Sequence, residues 1–338
     1  MFSPDGGHDA ILSQKPILAF DENGDFLEQQ RKIKEKLKEL LGIMPERVDL
    51  NPVIEYQKEE ETYTEYRIRF DVEKQVQAVC LLCIPKLGKE KYPLVICLQG
   101  HGKGMQVSMG RTYGDDPADD GDRNIAIQAL ERGYAALSLE QRGMGERRTV
   151  KVESEEELQD DTGLPRCHVT AMTAIMLGRT LLGERCWDIS RAIDLALTFP
   201  EIDGEQIICT GNSGGGTATY YAACMDERIK VAMPSCAVCT FKDSIQAMVH
   251  CTCNYVPQLS LHMEMGDMAA AIAPRKLIVI NGKEDPIFPE KGVKEAYATI
   301  EKIYQSAGVP ENCALATGNG GHRYYKQEAW AAFDKMFL

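Results

Sequence analysis

Gly211-Asn212-Ser213-Gly214-Gly215 is the stretch of this chain with the sharpest chemical content. A serine flanked by glycines suits a tight turn from strand to helix. Strained backbone there lifts the hydroxyl clear, and flanking Cβ atoms would clash. The surroundings agree, because Ile207–Thr210 reads as a strand and the small residues from Gly214 to Ala223 as a helix start. The pentapeptide also arises by chance as a glycine-rich turn, but no Lys-Ser/Thr follows to make a phosphate-binding loop. A serine hydroxyl is a weak nucleophile that needs a base, and the base needs an orienting acid. On such a turn the acid and then the histidine come later in the chain. Three histidines qualify: His250, His262 and His322. His322, in Gly318-Asn319-Gly320-Gly321-His322-Arg323, follows the last expected strand and is the expected base. Asp285, after the strand Lys276–Asn281, is the expected acid, with Glu284 and Asp243 as rivals. Two backbone N–H groups must converge on the developing oxyanion. Gly214 supplies one, and His101, in Gln99-Gly100-His101-Gly102-Lys103-Gly104, is expected to supply the other.

These groups need a scaffold, and the hydrophobic pattern describes one. Phe26–Leu41 has apolar residues at helical spacing with charges between them. Thr62–Asp71 and Gln77–Ile84 read as strands, and Pro93–Leu98 as a strand covered on both faces. Strands and helices then alternate. A helix at Asn124–Arg132 precedes a strand at Tyr134–Leu139, and a long helical stretch runs over Val169–Thr198 with a break near Gly183. The strand Gln206–Thr210, the helix Gly214–Cys224 and the strand Ile229–Pro234 come next, then the strand Lys276–Asn281, the helix Glu290–Ser306, the strand Ala314–Thr317 and the helix Gln327–Phe337. That alternation predicts a mainly parallel sheet with helices on both faces. Two stretches break it. The acidic run Asp115–Asp122 fails the calcium-loop pattern, because Ala118 and Ile127 fall where ligands are needed. Residues 236–274, with His250, Tyr255, His262 and four methionines, are expected to cover the site. The expected division is an extension over 1–60 and a catalytic domain over 61–338.

The chain has 338 residues, 38 basic against 51 acidic, for a net charge of −13. Phosphate backbones and anionic lipid would repel it, which excludes nucleic acid and membrane surfaces as partners. No run approaches the eighteen or so apolar residues of a membrane span, and Met1–Asp9 lacks the head and core of a secretory signal. Twelve cysteines are too few for a disulfide scaffold. Cys80, Cys83, Cys97 and Cys209 sit in apolar runs, and the pairs Cys80/Cys83 and Cys236/Cys239 lack the turn of a zinc knuckle. Buried thiols and a reducing cytoplasm are the expectation, with no metal and no organic cofactor.

Taken together, Gln99–Gly102, Leu139–Arg147, the turn at Ser213, Asp285 and Gly321-His322 resemble the α/β-hydrolase superfamily, and within it the dienelactone hydrolase and acetyl xylan esterase-like group. Trp187–Asp194, Pro200–Asp203, His250–Pro257 and Ile272–Arg275 extend the likeness over roughly residues 60 to 338. The resemblance implies an eight-stranded, mostly parallel sheet and a triad of Ser213, Asp285 and His322. It implies a serine esterase acting on small acyl esters, with acetyl groups on sugars among the candidates. Tyr255 and His250 are the expected substrate contacts, and copies of the chain are the one protein partner left open. Two departures concern loop shape: relatives carry His where Gln99 stands and Asp where Glu140 stands. Serine at 213 replaces the cysteine of true dienelactone hydrolases. A peptidase of the prolyl oligopeptidase kind, or a non-catalytic binding protein on the same fold, are the alternatives.

Overall fold

The computed structural model describes residues 3–102, 104–111, 121–148 and 167–337. The acidic run expected at Asp115–Asp122 lies, apart from its last two residues, outside them. Nine strands form one sheet in the order β1-β2-β3-β5-β4-β6-β7-β8-β9. They are β1 (Val53–Glu59), β2 (Tyr63–Glu73), β3 (Val76–Pro85), β4 (Tyr92–Leu98), β5 (Ala135–Leu139), β6 (Ile202–Asn212), β7 (Ile229–Ser235), β8 (Lys276–Gly282) and β9 (Cys313–Gly318). Strands β1 to β3 pair antiparallel, β3 pairs antiparallel with β5, and the six strands from β5 to β9 run parallel. The count corrects the expected eight. The additional strand β1 is exposed at every position, so no buried face marked it in the sequence.

Among the described residues the helices longer than one turn are α1 (Asp5–Leu12), α2 (Phe26–Leu40), α3 (Ile125–Glu131), α4 (His168–Met176), α5 (Leu181–Ala196), α6 (Gly214–Met225), α7 (Glu290–Ser306) and α8 (Lys326–Met336). In α2 the Asp25 side chain caps the first turn, and Ile33 and Leu37 are buried. The break in the long helical stretch falls at 177–180 rather than at Gly183. Gly178 adopts φ +72 and ends α4, and the Thr180 hydroxyl then caps α5 by accepting from the Gly183 N–H. Gly183 is needed for another reason: a Cβ there would stand 2.5 Å from the Leu41 carbonyl oxygen at the end of α2.

The N-terminal segment and residues 236–274 hold each other. Ile17 and Leu18 donate to the Leu261 and His262 carbonyls, Phe20 N–H to Asp267, and Gln30 to the carbonyls of Ala270 and Ala273. Met263, Met265 and Met268 are buried in the core of the molecule. They fill space beneath the segment instead of lining a pocket.

Strand β4 lies between its parallel neighbours β5 and β6. The chain winds from β4 to β5 on one side and then crosses back to β6 on the other, so the direction of winding reverses between β4 and β6. In an open parallel sheet the crevice at the carboxyl ends of such a pair is where ligands bind. Here it is framed by Gln99–Gly102, after β4, and by Ser213, after β6.

Candidate active site

Ser213 stands between β6 and α6 with φ +54 and ψ −120, a region that residues with a Cβ rarely enter. The turn is held from several sides. Ser213 N–H donates to the Ser235 carbonyl at 2.8 Å. A Cβ on Gly211 would stand 2.6 Å from the Leu98 carbonyl oxygen, and one on Gly215 would collide with that same oxygen. The end of β4, the turn and the first turn of α6 therefore meet backbone to backbone. Such a conformation costs about 1–3 kcal/mol. Ser213→Gly should relieve more strain than the added chain entropy costs, raising Tm by on the order of 2 °C. A calorimetric Tm below that of the parent would place the strain elsewhere.

Asp285 and His322 meet on the neighbouring loops. Asp285 is buried, its Oδ1 accepting from the N–H groups of Ile287 and Phe288 at 2.8 and 3.1 Å, and its Oδ2 lying 2.8 Å from His322 Nδ1. Burial works to raise the Asp285 value, but the His322 hydrogen bond and charge, with the two backbone N–H groups, hold it below the usual carboxylate range. The Phe288 ring stacks on His322 at 5.9 Å, with 14° between planes. Glu284 is exposed beside this pair, and Asp243 is engaged by Thr240 at 2.7 Å. Ser213, Asp285 and His322 thus follow β6, β8 and β9 at one edge of the sheet.

His101 and Gly214 also come together. A Cβ on Gly214 would stand 2.7 Å from the His101 ring and 3.0 Å from the Met144 methyl group. The His101 and Met144 side chains, with Gly145, Arg148 and Cys251, wall a cavity of about 360 Å³. That volume suits a small ligand. A larger cavity of about 640 Å³ opens at the opposite, amino-terminal edge beside Pro93, Tyr134 and Lys230, and no Ser, Cys or His lines it among the described residues.

Of the expected substrate contacts, His250 is close to the pair. Its ring meets Phe288 edge-on at 5.6 Å and its Nδ1 accepts from Asn254 at 2.9 Å, leaving Nε2 buried without a partner. Desolvation, then the charges of His101 and His322, push its value down to about 4, so it is neutral at physiological pH. Tyr255 is 40% exposed and donates its hydroxyl to the Ile245 carbonyl.

The loop after β5 shapes the cavity and was not singled out from its chemistry. Glu140 is fully buried, accepting from Gln99 Nε2 at 3.1 Å and from Met105 N–H at 3.2 Å, while Gln141 Nε2 donates to the Gln99 carbonyl at 2.7 Å. The two departures at 99 and 140 are thus one contact. Below them Arg142 is bidentate to Asp188 and reaches Glu73, Arg147 also reaches Asp188, and Arg179 bridges Glu73 and Glu184. Spacing marks Cys236, at φ +48 after β7, only as half of the Cys236/Cys239 pair and a buried thiol, yet it stands beside the acid and the base. Its thiol lies within 4.8 Å of the Asp285 and His322 ligand atoms and donates to the Arg323 carbonyl. Burial, then Asp285, push it up to about 12, so it remains a neutral thiol.

No described helix is long and apolar enough to cross a membrane. YtaP of Bacillus subtilis (strain 168), named as a hydrolase, is 24% identical over 294 residues, covering 86% of this chain and 92% of that protein. Among solved structures, a Bacteroides fragilis NCTC 9343 protein assigned as an acetyl xylan esterase superposes with a TM-score of 0.79 at 18% identity, over 97% of this chain and 83% of that one. A glucuronoyl esterase from Solibacter usitatus gives 0.68 at 13% identity, over 96% and 98%. Both likenesses are of fold, the α/β-hydrolase fold. The profile of the Abhydrolase family matches residues 6–335, and the chain belongs to that family.

Proposed function

We propose that the chain is a serine carboxylic-ester hydrolase working through Ser213, His322 and Asp285. The observation that carries this reading is the pair of buried Asp285 and half-buried His322, delivered to the sheet edge at which a strained Ser213 follows β6. His322 takes the Ser213 proton as the hydroxyl attacks the ester carbonyl, and Asp285 fixes the ring through Nδ1 and stabilises the imidazolium. The N–H groups of Gly214 and His101 hold the oxyanion, each such donor being worth roughly 3 kcal/mol in the barrier. The alcohol leaves with the proton from His322. Water, activated by the same ring, then hydrolyses the acyl-enzyme.

Small acyl esters fit the cavity, and the names of the structural neighbours, acetyl xylan and glucuronoyl esterases, support a carbohydrate as the alcohol side. Free thiols at all twelve cysteines support a reducing compartment. The test is hydrolysis of p-nitrophenyl esters of two, four and eight carbons beside prolyl peptide p-nitroanilides. Rates should fall by at least about tenfold from two to eight carbons, since even one mismatched methylene costs about 1–3 kcal/mol, with the anilides untouched. Turnover of the anilides ahead of the esters would favour a peptidase. Inertness toward all of them, and toward a serine-reactive phosphonate, would favour a binding protein.

A further inference from the structure

Against the wall of the same cavity four potential ligands converge from three separate stretches of chain. His101 lies on the loop after β4, Cys167 just before α4, and Cys251 and Cys253 in the segment between β7 and β8. Their Nε2 and Sγ atoms all lie within 4.8 Å of one another. His101 Nε2 is 3.2 Å from Cys253 Sγ and 3.6 Å from Cys167 Sγ, and the Cys251 and Cys253 sulfurs are 3.2 Å apart. Tetrahedral zinc, with Zn–S of about 2.3 Å and Zn–N of about 2.0–2.1 Å, sets sulfurs roughly 3.8 Å apart and sulfur roughly 3.6 Å from nitrogen. These three spacings lie at or inside those edges, and the remaining pairs lie within 4.8 Å. We infer that His101, Cys167, Cys251 and Cys253 form a zinc site of the Cys₃His type.

The surroundings complete the charge. Three thiols give up their protons to solvent on binding, leaving three thiolates against a divalent ion, one negative charge in excess. Arg185, 1% exposed, stands against these sulfurs. Its Nε and Nη2 donate to the Arg142 carbonyl, and it forms no carboxylate ion pair among the described residues. A buried cation of that kind needs an anion, and the thiolate cluster provides it. Four protein ligands leave no open position, so the ion is structural. It would tie the loop carrying His101 to Cys167, which also packs against the cavity loop: a Cβ on Gly143 would stand 2.9 Å from Cys167 Cβ. Nothing in this assignment depends on ester hydrolysis.

The test is elemental analysis of full-length protein purified under reducing conditions, with cobalt(II) replacing zinc for spectroscopy. About one zinc per chain is expected, with the thiolate-to-cobalt charge-transfer and strong visible bands of a tetrahedral site. Cys253→Ser should lose the metal at least tenfold, and Cys313→Ser should keep it. A wild-type protein that takes up neither zinc nor cobalt overturns the assignment whether or not the variants fold. So does a mass spectrum with a disulfide among Cys167, Cys251 and Cys253 that persists in the reduced preparation. Metal retained by both serine variants would place the ion elsewhere.

Discussion

Ser213→Ala is expected to lower kcat for ester hydrolysis by about 10⁶-fold, the scale seen when the nucleophile of an interdependent triad is removed. Alanine keeps the Cβ that Ser213 already carries at φ +54, so the turn changes by a hydroxyl alone. The strand-end contacts from Ser235 and Leu98 act on backbone and survive it. Circular dichroism should therefore match the parent, and the stoichiometric phosphonate adduct should vanish with the activity. Residual turnover within tenfold of wild type, from protein free of wild-type contamination, would sink the covalent mechanism while leaving the fold intact.

Asp285→Asn should cost about 10⁴-fold in kcat, because the amide holds the imidazole in the wrong tautomer. The asparagine oxygen can still accept from Ile287 and Phe288, which turns the NH₂ group toward His322 Nδ1. Nδ1 must then accept, and the proton moves to Nε2, the atom that should receive one from Ser213. The same substitution alters acid stability. Asp285 has a depressed value in the folded protein, so its contribution is present above the unfolded carboxylate range and lost as pH falls through the folded value. Unfolding followed from neutral pH to about pH 2 should accordingly show a shallower acid decline in the variant. A kcat loss below tenfold would reassign the acid, with the exposed Glu284 next to be tried.

Much of what positions Ser213 and Asp285 was legible because β6 and β8 end in covered apolar runs and the helix after Asp285 is strongly amphipathic; Glu290–Ser306 is observed at the expected bounds. What escaped shares a physical cause. Strand β1 has both faces in solvent, so neither alternation nor a continuous apolar run identifies it. The His101, Cys167, Cys251 and Cys253 cluster is assembled by three loops, and its only local trace is Cys251-x-Cys253, shorter than the spacing searched for. Meanwhile Cys80 and Cys83, with a familiar spacing, are fully buried on β3, where packing alone accounts for them. Methionines 263, 265 and 268, counted in the sequence with the segment expected to cover the site, are buried in the core, because flexible apolar side chains fill core space well.

Gln99 and Glu140 have a consequence for the history of the chain. Each is nearly or wholly buried, and each answers the other's hydrogen-bonding demand across two loops. Changing either one alone leaves a buried polar partner short, at about 1–3 kcal/mol. A chain changing between a His-and-Asp version and this Gln-and-Glu version would pass through a weakened intermediate unless both changed together. The two positions are therefore expected to change together, and an alignment of relatives should rarely show one without the other.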